Sequence, residues 1–272
     1  IDITHGIVAN WGPDHLKTAN KLIDLGCKRL IIEKPISSRK DELDLFKKRC
    51  FDEQIFVTVH HHWAYTNIKE VISNSEKEFN LGSPVGIRMI GGAICLSTNG
   101  THVFDLACEL LNSNPKSVTA ELELDYINPR SKNLVNIGGM ASYKMKNNSF
   151  INVSISNSNS EALRLEIIYR NAIIKLGTDS KLRCYKRLKE EIIKFEDKIT
   201  RYGHMELKSE IYYEEISTVD KVLENLISDE KPKVPIKKAE LATLMVLGAL
   251  QSHIKGERVQ FDNIEDTGIL IS

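Results

Sequence analysis

Apolar positions in the first sixty residues come in three short unbroken runs, separated by stretches of helical period. "ITHGIVAN" (3–10), "KRLIIEKP" (28–35) and "QIFVTVHHHW" (54–63) have the length and flanks of strands buried on both faces. Between the first two, "PDHLKTANKLIDLGC" places Leu16, Ala19, Leu22 and Ile23 on one helical face, started by Pro13-Asp14 and closed by Gly26. Between the second and third, "SSRKDELDLFKKRCFDE" carries Leu43 and Phe46 on a stripe, with Ser38 as the expected cap. Strand–helix–strand–helix–strand at this spacing predicts a parallel sheet with crossover helices.

Beyond residue 63 the pattern changes. "AYTNIKEVISNSEKEF" reads as a helix, "GSPVGIRMIGGAI" as a strand interrupted by a glycine pair, and "THVFDLACELLN" as a helix burying Val103, Leu106, Ala107 and Leu110. Period-two alternation then dominates: "SVTAELELDYI" is one strand, and "GMASYKMKNNSFINVSISNS" and "LRLEIIYRNAIIKLG" are hairpins turning at "KNNS" and at Arg170-Asn171. Two more helices, "EISTVDKVLENLISDE" and "KKAELATLMVLGALQSHIKG", follow, the second stopped by Gly256. The predicted fold class is therefore α/β plus α+β. Residues 1–62 form part of a Rossmann-like parallel sheet, and 63–272 an open, mostly antiparallel sheet with helices on one face.

Composition narrows the function. The 272 residues are 42% hydrophobic and 27% charged, with 37 basic against 37 acidic side chains. A zero balance argues against nucleic acid or a membrane surface as partner, since both favour basic excess. No apolar run reaches the ~18 residues needed to span a bilayer. Five scattered cysteines without C-x-x-C spacing read as reduced thiols of a cytoplasmic protein.

Four clusters carry candidate chemistry. Lys34 ends a buried strand, where α/β sheets open their ligand crevice; partial desolvation there would suit it to acid–base work, and Pro35 stiffens its turn. Spacing alone favours the other reading, a lysine reaching into solvent from a strand end. His102 and Asp105 share one side of a helix turn, so the carboxylate could orient the imidazole, with Thr98 and Asn99 adding hydrogen-bonding groups and Gly100 allowing close backbone approach. An ordinary helix N-terminus capped by Asn99 or Thr101 fits as well. In "HHH" (60–62) at most His60 and His62 share a face, too few ligands for a metal, so no metal site is assigned; the run reads as a strand end with one histidine, His62, lining a cleft. His15 follows the first strand at a helix start, and by itself reads as a surface histidine.

Taken in order, these segments resemble the glucose–fructose oxidoreductase / inositol dehydrogenase (Gfo/Idh/MocA) family. "NWGPDH", the E-K-P of 33–35 and "NGTHVFDL" match the family's [T/N]-P-x-x-x-H, E-K-P and G-x-H-x-x-D-L segments along nearly the whole chain. The resemblance implies NAD or NADP as cofactor and a sugar, polyol or sugar-nucleotide CH–OH as substrate. It places Asn10, Trp11, His15, Glu33, Lys34 and Pro35 beside the nicotinamide, and Lys34 and His102 at the reacting hydroxyl's proton. The Lys34–Pro35 bond is expected to be cis, and the open sheet to form a homodimer or homotetramer.

Two departures stand out. Thr98 occupies the position of the family's usual acidic residue four before the histidine, so no carboxylate base is available there. The G-x-G-x-x-G turn and the ribose-reading residue are absent from these residues; they belong to a βαβ unit of about 80–100 residues expected ahead of Ile1. The first strand would then be the family's fourth, with a bare edge, and the chain alone would bind NAD weakly or not at all. A non-catalytic sugar-binding or assembly subunit is the alternative function.

Overall fold

The computed structural model of the chain describes residues 3–92, 94–124, 134–158, 160–194, 203–214, 218–228 and 230–271. Ala93, Asp125–Ile127, Glu215–Ser217 and Asp229, included in the strand and helix expectations above, lie outside these residues.

Three strands, β1 (His5–Val8), β2 (Arg29–Ile32) and β3 (Phe56–Val59), form a parallel sheet in the order β1-β2-β3, with His5 opposite Arg29 and Arg29 opposite Phe56. Helices α1 (His15–Asp24) and α2 (Lys40–Asp52) are its crossovers. Val8, Leu30, Ile32, Val57 and Val59 pack with Leu16, Ala19, Ile23, Leu43 and Phe46 in one core. At the end of α1, Gly26 adopts φ +95°, and the N–H groups of Gly26 and Cys27 donate to the carbonyls of Ile23 and Leu22. This is a Schellman closure, as the glycine's position predicted. The start of α2 differs from expectation. Ser38 lies one residue too early to cap, and its hydroxyl donates to the Ile271 carbonyl at 2.5 Å. The first free N–H groups of the helix, on Lys40 and Asp41, instead donate to the Asp266 carboxylate at 2.5 and 3.1 Å.

After α3 (Ile68–Glu78) a nine-stranded sheet is built from β4 (Gly86–Gly92), β5 (Pro115–Glu123), β6 (Gly138–Met145), β7 (Phe150–Ser156), β8 (Arg164–Ile168), β9 (Ala172–Leu176), β10 (Lys181–Arg187), β11 (Met205–Tyr212) and β12 (Val259–Gln260). Its order is β11-β10-β9-β8-β4-β7-β6-β5-β12, with β4 and β7 parallel and the other pairs antiparallel. Helix α4 (Thr101–Leu110) follows β4, the short α5 (Lys189–Lys194) follows β10, and α6 (Thr218–Ile227) and α7 (Ile236–Lys255) come before β12. Along β6, Ala141, Tyr143 and Met145 are buried while Met140, Ser142 and Lys144 are exposed, which is the alternation the sequence displays. Tyr143 reaches through to α7, donating to the Met245 carbonyl at 3.0 Å.

The outer face carries a polar row whose register runs Asn152–Arg88–Glu166–Lys175–Arg183–Glu210 across six strands. Beside it the Phe150 ring covers Gly86 so closely that a Cβ there would lie 2.3 Å from the ring, so any larger residue would have to push the ring aside.

Late segments return to the parallel sheet. Val222 and Leu226 of α6, with Val234 and Ala239, complete its core. The Val59 N–H donates to the Val234 carbonyl at 2.9 Å, covering the free edge of β3. No helix is long and apolar enough to cross a membrane among the described residues.

Candidate active site

The carboxyl ends of the three parallel strands present Asn10 and Trp11 after β1, Glu33 and Lys34 after β2, and His60 after β3. This is the crevice side of an open α/β sheet. Trp11 is 41% exposed, and Asn10 Nδ2 donates to Thr18 Oγ1 at 3.1 Å. Lys34 is half-buried, and the Lys34–Pro35 peptide bond is cis, as the resemblance implied.

His15 is 2% exposed, so its reading as a surface histidine is corrected. Nδ1 lies 2.9 Å from the Pro35 carbonyl oxygen and Nε2 3.1 Å from that of Asn10. The ring is a rivet between the β1 loop and the Lys34–Pro35 turn. An imidazole suits this position because it presents a polar atom on each side of a flat body.

Because Ile32 stands opposite Val59 in the register, the next residues, Glu33 and His60, also face each other. His60 Nδ1 lies 2.8 Å from Glu33 Oε1, and its Nε2 lies 3.0 Å from Thr218 Oγ1 of α6. Burial alone would raise the Glu33 carboxyl, but the hydrogen bond and charge of His60, with Lys34 beside it, outweigh that and hold it below the usual carboxylate range. Sequence reasoning missed His60; strand register was the signal that could have found it.

The third component comes from the start of α4. Leu96–Gly100 form a turn of π-helix leading into it, with the Gly100 N–H donating to the Cys95 carbonyl five residues back at 3.4 Å. Such turns are frequent at functional sites. Asn99 Oδ1 accepts the Cys95 N–H at 3.3 Å, and Thr98 Oγ1 donates to that Oδ1 at 3.2 Å. Thr101 Oγ1 donates to the Thr98 carbonyl at 2.9 Å, so neither Asn99 nor Thr101 caps the helix. A Cβ on the buried Gly100 would first meet the Leu96 side chain, at 2.8 Å. That glycine leaves room for the Leu96 side chain within the turn.

The turn delivers His102 against the histidine run. The His62 backbone N–H donates to His102 Nδ1 at 3.3 Å, and the two rings meet edge to face at 4.7 Å. Burial foremost, then the charges of His61, His62, Lys34 and His60, push the His102 imidazole well below its ordinary value of 6.5. Lys34 is thus close enough for its charge to act on His102. Asp105 does not orient His102, as the i, i+3 spacing had suggested. Its Oδ2 lies 3.7 Å from Nδ1 of the buried His61, whose ring stands 5.6 Å from that of His102.

The structure therefore gathers Glu33, Lys34, His62 and His102, with His60 and His61 added. Asn10, Pro35 and His15 form the adjoining wall, and the Thr98 and Asn99 side chains bond within their own turn.

Neither a family model nor a curated protein sequence matches the chain. Solved structures share its fold. UDP-N-acetylglucosamine 3-dehydrogenase GnnA from Acidithiobacillus ferrooxidans superposes with a TM-score of 0.67 at 13% identity, covering 93% of this chain and 78% of its own. An NAD-binding protein from Listeria innocua gives 0.73 at 12% identity, with 97% and 81% covered. A mutant of the Gal80p repressor from Saccharomyces cerevisiae gives 0.69 at 12% identity, with 96% and 80% covered. At this identity the likeness is one of fold. It bears out the expected architecture, a Rossmann-like parallel sheet followed by an open, mostly antiparallel sheet.

Proposed function

We propose that the chain belongs to an NAD(P)-dependent oxidoreductase acting on the CH–OH group of a sugar, polyol or sugar-nucleotide. What supports this reading is Lys34 at the carboxyl end of β2, near enough for its charge to act on the imidazole of His102, which stands at the π-helical start of α4. An amine and an imidazole at the mouth of an α/β crevice suit a hydroxyl that must lose its proton as its carbon loses hydride. The fold shared with a sugar-nucleotide dehydrogenase supports the substrate class.

The residues present fit the nicotinamide half of the cofactor. The exposed Trp11 ring offers a flat apolar face, and the Asn10 amide and Lys34 amine lie on the same rim. Asn10, Trp11, Glu33, Lys34 and Pro35 would hold that half, with His15 fixing the turn they stand on. NAD(P), when bound, supplies the hydride acceptor. The protein's own part is to orient the hydroxyl between Lys34 and His102, with His62, Thr98 and Asn99 on the substrate side, and to receive the proton at Lys34 Nζ. The outer sheet face, with its charged row and the Phe150 ring, suits a homodimer or homotetramer contact, and the reduced thiols suit a cytoplasmic setting.

The test is cofactor fluorescence of the full-length protein across a panel of sugars and UDP-sugars, with Lys34→Ala beside wild type. General acid–base groups contribute about 10²–10⁴-fold, so the variant should lose at least about a hundredfold in turnover and keep its cofactor affinity. Full activity in Lys34→Ala would remove the assignment.

A non-catalytic sugar-binding subunit is the second reading. Thr98 in place of a carboxylate and the fold shared with the Gal80p repressor favour it. Sugar binding by calorimetry without turnover on any member of the panel would select it.

A further inference from the structure

In a histidine–carboxylate dyad the acid accepts the Nδ1 proton, which leaves Nε2 with a lone pair and makes it a base. The surroundings of His102 are the reverse. Its Nδ1 faces the backbone N–H of His62 at 3.3 Å, a group that can only donate. Position 98 holds threonine, whose hydroxyl is turned to Asn99 and Cys95. The acid on the same helix, Asp105, lies by His61 Nδ1 instead.

We propose that His102 works as a neutral imidazole whose single proton is on Nε2, fixed there by the His62 backbone N–H, so that it donates a hydrogen bond to the substrate oxygen and Lys34 alone moves the proton. The inference rests on the function proposed above and divides the labour between its two groups. In the oxidation the substrate O–H bond breaks and its proton passes to the free amine of Lys34, forming an ammonium. The oxygen's electron pair forms the carbonyl as hydride leaves the carbon for the cofactor, which is reduced. The Nε2–H of His102 stays in place and stabilises the developing negative charge on that oxygen, as a preorganised donor does. The groups around the ring agree with a neutral form: burial foremost, then His60, His61 and His62 from the segment after β3, and Lys34 once it carries the substrate's proton, disfavour a charge on His102, while the Asp105 carboxylate lies 3.7 Å from His61 Nδ1.

Two measurements decide it. ¹⁵N NMR of histidine-labelled protein, with His102 assigned by its loss in His102→Gln, should show a pyrrole-type Nε2 and a pyridine-type Nδ1, unchanged as pH is lowered through 6.5. The reversed pattern, or protonation near the ordinary value, overturns the proposal. In turnover, His102→Gln should stay within about tenfold of wild type, because the glutamine amide supplies a donor near the Nε2–H position, whereas His102→Ala should fall by about 10²-fold or more, the cost of a lost oxyanion donor. Equal loss in both variants marks His102 as a base and overturns the proposal. The NMR result needs neither substrate nor turnover, and through-bond correlation to the backbone assigns His102 if His102→Gln fails to fold. An active Lys34→Ala would sink the proposed function without touching the tautomer; a reversed tautomer with an inactive Lys34→Ala would sink this inference alone.

Discussion

His102 ties protonation to stability. Unfolded, its imidazole takes a proton as pH falls past 6.5; folded, burial and the neighbouring histidines and Lys34 keep it neutral to a lower pH. Between those two values the unfolded chain binds more protons, so folding stability drops as pH falls through this window and levels off below the folded value. Urea midpoints on either side of pH 6.5 should show that drop, and His102→Gln should make it shallower. An unchanged slope in the variant would mean that the ring is not held neutral. At this scale a motif draws the eye to particular residues: Lys34 ends β2, His15 touches the Pro35 and Asn10 carbonyls, and His102 meets the histidine run. Surroundings were not legible. His15 read as exposed because nothing local tells that the Asn10 and Pro35 carbonyls will close over it. Asp105 read as the partner of His102 because spacing along one helix cannot reveal a buried His61 arriving from another segment.

Helix α2 shows the same limit one level up. Its stripe of Leu43 and Phe46 was enough to predict it, but its cap comes from Asp266 near the chain's end. Removing a capping carboxylate typically costs about 1 kcal/mol, so Asp266→Ala should lower stability by about that amount in urea denaturation. A change within error would mean that water satisfies those N–H groups as well. Strands β1 to β9 each fall in a segment read as a strand from apolar runs or clear alternation, with β5 beginning two residues and β6 one residue before the expected start. β10 and β11 received no expectation, because "KLRCYKR" and "MELKSEIY" are dominated by charge. They hold together across strands instead, through Lys181 and Arg183 on Glu210 at 2.6 and 2.7 Å. A cross-strand pair is invisible until the register is known.

At the level of the whole molecule, the parallel sheet has one edge to which the described residues supply no neighbour. Among the described residues β1 pairs with β2 alone, and Ile7 on that edge strand is 55% exposed. An apolar side chain on an open edge invites pairing with another chain. Ile7→Lys should therefore reduce light scattering of the concentrated protein without changing its circular dichroism. Scattering equal to wild type would place the adhesive surface elsewhere. The division into a parallel and an antiparallel sheet was evident from the change in hydrophobic period near residue 63. That late segments finish the first core was not, since α6 and Val234 carry no mark in sequence of the sheet they will cover.

Arg29 shows what that return implies for synthesis. Its guanidinium stacks 3.7 Å from the Phe56 ring centroid and donates to the carbonyls of Asn225, Leu226 and Ser228 at the end of α6. On the ribosome, β1 to β3 emerge before α6, and Arg29 waits for the 197 residues that separate it from Leu226 before the helix that covers this sheet exists. Until then Leu30, Ile32 and Val57 lack part of their shelter, and closing so long a loop is slow. Nascent chains arrested before Thr218 should therefore be held by chaperones, and release should follow once α6 clears the exit tunnel.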